Sequence, residues 1–335
     1  MDRFSEAYTK AREVLNKRKY TEDWQKFLTS DINPVLGADA PDYQKATALD
    51  TFRTKLAGAA KDGKTGAAAA DGVAATIVQA AKVGDADFPA RAATLKLLKH
   101  LYWVRKRGAQ DVWVYAPPKA YQKWVYEEIE GTEAQVKTKL KEETEIYSDD
   151  ERDTMCDALQ LALKWSQDAF RKLGEGGEET KKLVKDWFAD EDTTDEQITA
   201  ALTTLKEGYK KIAGMCNSNT LILSDEPRDR NKGGWKDWAF VYKSEKMDVL
   251  YIQGAFLKSG NSGRLWMCAL TIIHEISHRA VGTDDNRYDT DGIKPAKGTL
   301  SHAKALNNAD TWGYFAADLA GALSATDRTK VLKAA

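Results

Sequence analysis

Residues 264–288 read RLWMCALTIIHEISHRAVGTDDNRY, and at their centre stands His274-Glu275-Ile276-Ser277-His278. Two histidines four residues apart on a helix project from one face, about one turn apart, so both imidazoles can reach a single ion. Glu275 follows the first histidine directly, where its carboxylate can take a proton from water rather than bind the ion. Leu265, Cys268, Ala269, Ile272, Ile276 and Ala280 recur at helical spacing and predict a helix with one apolar side. Gly282 stands where a helix stop is expected, and Ser262 is the expected N-cap. The chain holds only four histidines, and two fall in this pattern. That pairing favours a metal site over an amphipathic helix with two surface histidines.

A catalytic zinc ion takes three protein ligands and leaves one position open. No glutamate follows Glu275, and position 284, where a third histidine six residues on would stand, is Asp. The residues alone leave His302, Asp284, Asp285, Asp289 and Asp291 as sources of the third ligand.

The order Gly282-Thr283-Asp284-Asp285-Asn286-Arg287-Tyr288 resembles the G-T-x-D-x-x-Y pattern of the aspzincins, the deuterolysin and peptidyl-Lys metalloendopeptidase family. Trp187-Phe188-Ala189, Ala239 to Tyr242, Leu250-Tyr251-Ile252, Ala255-Phe256 and Asn308-Ala309-Asp310-Thr311-Trp312 with Phe315 resemble that family's segments in the same order. The resemblance covers roughly residues 155–320. It implies Asp285 as third ligand, one Zn2+ ion, Tyr288 as hydrogen-bond donor to the developing oxyanion, and protein or peptide as substrate. A metzincin-like use of Asp284 would want Gly at 281, which is Val.

Two positions depart from the family pattern. Asp289 replaces its closing Gly, and Gly313 stands where the lysine-specific branch has a second acid. Asp310 matches the first acid. It is read either as a substrate-binding group for a basic side chain or as a group orienting a metal-binding histidine. The resemblance also places Cys156 and Cys216 near a family disulfide, and pairing and two thiols stand level. Three cysteines are too few for a disulfide scaffold, and Cys268 reads as a buried thiol.

With 335 residues the chain is long enough for two domains. Residues 1–150 are expected to form a helical N-terminal domain acting as pro-segment, delivery or recruiting module. Residues 151–335 are expected to form the zincin-like domain. The fold class is therefore α+β, mostly helical, with a small mixed sheet and an active-site helix. Helical spacing recurs in 1–56, 73–83 and 90–107 around an Ala/Gly-rich stretch at 57–72. Asp111 to Tyr115 reads as a strand, and Ser148 caps the helix that follows. Thr193 or Thr194 caps another, with Glu196 completing a box on Thr193.

A net charge of −1, with 42% hydrophobic and 30% charged residues, gives no general attraction to nucleic acid or anionic membrane. Lys99, Arg105, Lys106 and Arg107 read as a solvated face, His100 as structural, and His302 as solvated. No apolar run approaches the ~18 residues of a membrane span. The opening MDRFSEAYTKAREVLNKRKY is charged and amphipathic and does not read as a secretory leader. The resemblance, whose bacterial members include exported toxins and effectors, implies an exported effector or toxin, delivered without a signal peptide and meeting secretion machinery or a cognate inhibitor protein; the cytoplasm is the other location. The competing function is a non-catalytic zinc-binding interaction protein on the same scaffold.

Overall fold

The computed structural model describes residues 4–6, 9, 103–107, 110–129, 131–140, 142, 144, 146–218, 220–230 and 234–333. The Ala/Gly-rich stretch at 57–72, the helical readings of 73–83 and 90–102 and nearly all of 1–56, and the roles of Lys99 and His100 lie outside these residues. The strands are β1 (Trp103–Arg107), β2 (Gln110–Tyr115), β3 (Ile222–Ser224), β4 (Ala239–Phe240) and β5 (Val249–Ile252). The helices are α1 (Val125–Glu128), α2 (Glu133–Leu140), α3 (Asp149–Glu175), α4 (Glu178–Phe188) and α5 (Asp195–Cys216). There follow α6 (Gly254–Asn261), α7 (Leu265–Ala280), α8 (His302–Leu306), α9 (Ala309–Leu319) and α10 (Ala325–Val331). The result is mostly helical with a small mixed sheet, an α+β architecture.

The chain divides into two compact units, one of Met1–Arg152, Asn219–Asp237 and Ser244–Gly254, the other of the remainder. In the first unit β1 pairs antiparallel with β2, β2 runs parallel with β3, and β3 parallel with β5. Trp113, Val114, Tyr115, Ile222, Leu223 and all four residues of β5 are fully buried, which accounts for their near-continuous apolar runs. Residues 103–107, expected to end a helix, form β1 instead. Pairing with β2 supplies the backbone partners that a helix would have supplied locally, a tertiary override of propensity.

A buried arginine fixes the entry to this sheet. The Arg230 guanidinium donates to the Pro118 (2.7 Å), Tyr121 (2.6 Å) and Pro117 (2.8 Å) carbonyls and pairs with Asp225. Phe4 packs edge-on against Tyr115, centroids 5.2 Å apart. Buried Glu245 accepts hydrogen bonds from the Ser5 backbone and hydroxyl and from Tyr251 (3.0 Å).

The second unit is built on α7. Leu265 and Ala280 mark its ends, while Cys268 through Ser277 are all buried, so α9 and α5 cover it. The apolar spacing read from the sequence therefore underestimates the covered surface. Tyr209 donates from its hydroxyl to the Trp312 carbonyl (2.6 Å), with ring centroids 5.0 Å apart. Gly208 makes this contact possible, since a Cβ there would lie 2.2 Å from the Trp312 ring.

Helix ends are local chemistry. Of the two residues expected at the start of α5, Thr194 is the cap, boxed with Gln197; the box of Glu196 on Thr193 does not form, because the Thr193 hydroxyl donates to Asp190 at 2.6 Å. Ser262 does not cap α7. Its hydroxyl donates back to the Ser259 carbonyl (2.9 Å), and Arg264 stands at the cap position. Ser148 does take the expected capping role, exchanging bonds with Glu151. Cys156 and Cys216 are buried thiols, not a disulfide. Cys268 is likewise a buried thiol, donating to the Phe256 carbonyl at 3.3 Å. Among the described residues no helix is long and apolar enough to cross a membrane.

Candidate active site

His274 and His278 lie on the buried face of α7, and His274, Glu275 and His278 bring ligand atoms within 4.8 Å of one another. Gly282, with φ of +90°, ends the helix in the left-handed region that glycine tolerates best. Its N–H returns to the Ser277 carbonyl (3.0 Å), which turns the following residues back over the imidazoles. Thr283 is buried there against Ser277, hydroxyl to hydroxyl at 2.6 Å. Asp285 then points at both histidines. Its Oδ1 stands 3.2 Å from His274 Nε2 and 3.3 Å from His278 Nε2, and the two Nε2 atoms are 3.2 Å apart.

The remaining ring nitrogens assign the tautomers. His278 Nδ1 lies 2.8 Å from the Thr283 carbonyl, which can only accept, so this nitrogen donates. His274 Nδ1 lies 2.7 Å from Asp310 Oδ1, a carboxylate, and donates as well. Both Nε2 lone pairs are thereby turned toward Asp285. Two imidazole nitrogens and a carboxylate oxygen thus converge on one point, an arrangement that requires a cation or a proton to hold it together.

The triangle fits zinc. Ligands at about 2.0–2.1 Å in tetrahedral array stand about 3.3 Å apart, and the observed edges are 3.2, 3.2 and 3.3 Å. His302 plays no part, since its Nδ1 donates to the Phe188 carbonyl at 2.7 Å. Asp284 is turned away: it pairs with Lys243 and accepts from Asn307 at 3.1 Å.

Charge at the site reflects the crowding of acids. Burial lowers the affinity of His274 for a proton, but the Asp285 and Asp310 carboxylates outweigh it and raise the pKa to about 10. The two imidazoles hold Asp285 far below the usual carboxylate range. Burial raises Glu275, against the pull of both histidines. Its Oε1 lies 3.8 Å from His274 Nε2, beside the triangle but outside it. Tyr288 is 49% exposed. Partial burial and the neighbouring Asp285 carboxylate push its hydroxyl up to about 12, so it remains a protonated donor at working pH.

Asp310, on α9, has both oxygens engaged inside the protein. Oδ1 accepts from His274 and Oδ2 accepts from the Asp289 N–H at 2.8 Å. It is 7% exposed. Gly313, one turn on, explains why no second acid stands there. A Cβ at this position would lie 3.0 Å from the Leu270 side chain and 3.1 Å from its carbonyl oxygen. Four further residues hold the site together: Ser277, Thr283, Asn308 and Tyr314. Thr283 and Asn308 lie within the resembling segments, but nothing in sequence distinguishes Ser277 or Tyr314 from ordinary helix residues.

A buried helix carrying both histidines, a carboxylate from the next loop and a glutamate beside the ion position define a zincin-type metallopeptidase site. Residues 174–317 match the aspzincin family, described as lysine-specific metallo-endopeptidase. That segment belongs to the family, and the chain carries a metalloendopeptidase domain. No curated protein matches the chain in a sequence comparison.

Proposed function

We propose that this protein is a zinc-dependent endopeptidase in which His274, His278 and Asp285 hold the ion, Glu275 is the general base and Tyr288 the oxyanion donor. The observation that carries the reading is the Nε2–Nε2–Oδ1 triangle, with edges matching tetrahedral zinc. A bound zinc ion would supply Lewis-acid polarisation of the peptide carbonyl and a lowered pKa for water. Glu275, its proton affinity raised by burial, accepts the proton of the attacking water and returns it to the leaving amine. Tyr288 donates its hydroxyl to the carbonyl oxygen as negative charge builds there. Asp310 and the Thr283 carbonyl fix the tautomer and orientation of the two imidazoles.

Preference for a basic residue, lysine in particular, belongs to this reading through the family description. Asp310 is the carboxylate the resemblance singles out for it, but with both oxygens engaged it would attract a cation through its field more than through direct pairing. Selection weaker than that of an acidic pair is expected. Delivery of the protein into other cells as an effector rests on the family resemblance; the part of 1–150 as delivery, recruiting or inhibitory module lies outside that resemblance and rests on its place ahead of the matched domain. Detection of the chain in culture medium of its own host tests it.

The deciding experiment digests an unfolded test protein with wild type and Glu275→Ala, with zinc content measured for both. Cleavage by wild type alone, at equal zinc, is the expected result. If both proteins hold zinc and neither cuts, the hydrolytic assignment fails and the binding-protein reading takes its place.

A further inference from the structure

Tyr288 presents a mechanical problem. With half of its surface exposed it has little packing to hold its ring, yet an oxyanion donor must stand within a few tenths of an ångström of its target. The backbone on either side supplies what packing does not. The Arg287 N–H donates to Asn308 Oδ1 at 2.9 Å, and the Asp289 N–H donates to Asp310 Oδ2 at 2.8 Å. Both acceptors stand at the start of α9. A third tie engages the Asp289 side chain, whose Oδ2 accepts from the Tyr314 hydroxyl at 2.6 Å. Tyr314 is itself buried and stacked on Trp187, centroids 6.2 Å apart at 14°. Trp187 is tied in turn through Nε1 to Asp318 at 2.7 Å.

We propose that Tyr314 and Asp289 are positioning residues for Tyr288. Their hydrogen bond anchors the segment carrying the exposed tyrosine to the rigid core of α4 and α9. Asp310 then serves two elements at once, the imidazole of His274 through one oxygen and the Tyr288 segment through the other. The carboxylate at 289, in place of the family's glycine, is the acceptor that lets Tyr314 join this arrangement. The inference rests on the reading of Tyr288 as oxyanion donor.

The test is a double-mutant cycle on the full chain loaded with zinc, reading kcat and KM on one peptide substrate, with zinc content and thermal midpoint alongside. Tyr314→Phe keeps the ring stack and removes only the hydroxyl. It is expected to lower kcat about 3- to 10-fold, the scale of one hydrogen bond, with KM and zinc content near wild type. In a Tyr288→Phe background the same change should have no further effect. Asp289→Asn, which keeps an acceptor oxygen, should retain near-wild-type kcat, whereas Asp289→Ala should match Tyr314→Phe. Losses that multiply in full in the double variant overturn the proposal, as does wild-type kcat in Tyr314→Phe. Tyr288→Phe with unchanged kcat removes the oxyanion role and this inference with it. An inert wild type sinks the peptidase reading itself, an outcome separate from either.

Discussion

A single carboxylate, Asp310, shows how much of this site depends on groups that never touch the ion. It accepts twice, from the His274 ring and from the Asp289 backbone. Asparagine could accept at only one of these two positions, because its amide nitrogen is a donor. Asp310→Asn should therefore weaken zinc affinity by about 10- to 100-fold, measured by competition with a chromophoric chelator. Unchanged affinity would show that His274 needs no such support. The contrast with Asp284 is instructive: one residue from Asp285 and chemically identical, it faces Lys243 and Asn307 instead. Direction, set by the turn after Gly282, separates the candidate ligand from its neighbour.

Between elements, the close approach of α9 to α7 limits which chemistry the site can add. Gly313 faces Leu270, including its carbonyl, at 3.0–3.1 Å from any Cβ. Gly313→Glu, which would complete an acidic pair by sequence, should force the helices apart at a cost of roughly 1–3 kcal/mol. The expected outcome is a lower thermal midpoint and no gain in selectivity for lysine in a digest. A variant as stable as wild type would show that the contact yields easily. Gly208 beneath Trp312 is the same device at the α5–α9 contact, and it too is invisible to helix propensity, which disfavours glycine in both places.

For the whole molecule, two linkages carry measurable consequences. Metal bound only by the folded chain should raise stability by about 4 kcal/mol at a thousandfold excess over Kd. Chelator should therefore lower the thermal midpoint of the catalytic unit, and zinc should restore it. An unmoved midpoint would argue against a site formed by α7 and its loop. The other linkage is pH-dependent and lies in the first unit. Burial, only partly offset by Arg230, raises Asp225 from 3.8 to about 6. A carboxyl raised on folding contributes stability that is full below its unfolded pKa and is lost as pH rises through the folded value. Between pH 4 and pH 7 wild type should lose roughly 2 kcal/mol relative to Asp225→Asn, followed by denaturant unfolding at both pH values. A constant difference would mean that Arg230 fully compensates the burial.

The local parts of this protein were legible in its residues. The spacing of His274 and His278, the stop at Gly282, the cap at Ser148 and the apolar runs of β3 and β5 each follow from interactions within a few positions. Family resemblance singled out Asp285 and Tyr288, and the turn of the backbone then distinguished Asp285 from Asp284 by geometry. Two local choices went to a competing neighbour: residues 103–107 pair with β2 just after them, and the Thr193 hydroxyl donates to Asp190. What sequence could not supply depends on contacts between distant segments. Tyr314 acquired a part at the site only because α9 lies beside the 287–291 segment. Periodicity and capping act within a turn or two of chain, and so they are written into sequence. The second partner of a carboxylate, and the room for one Cβ between two helices, exist only once the helices have packed.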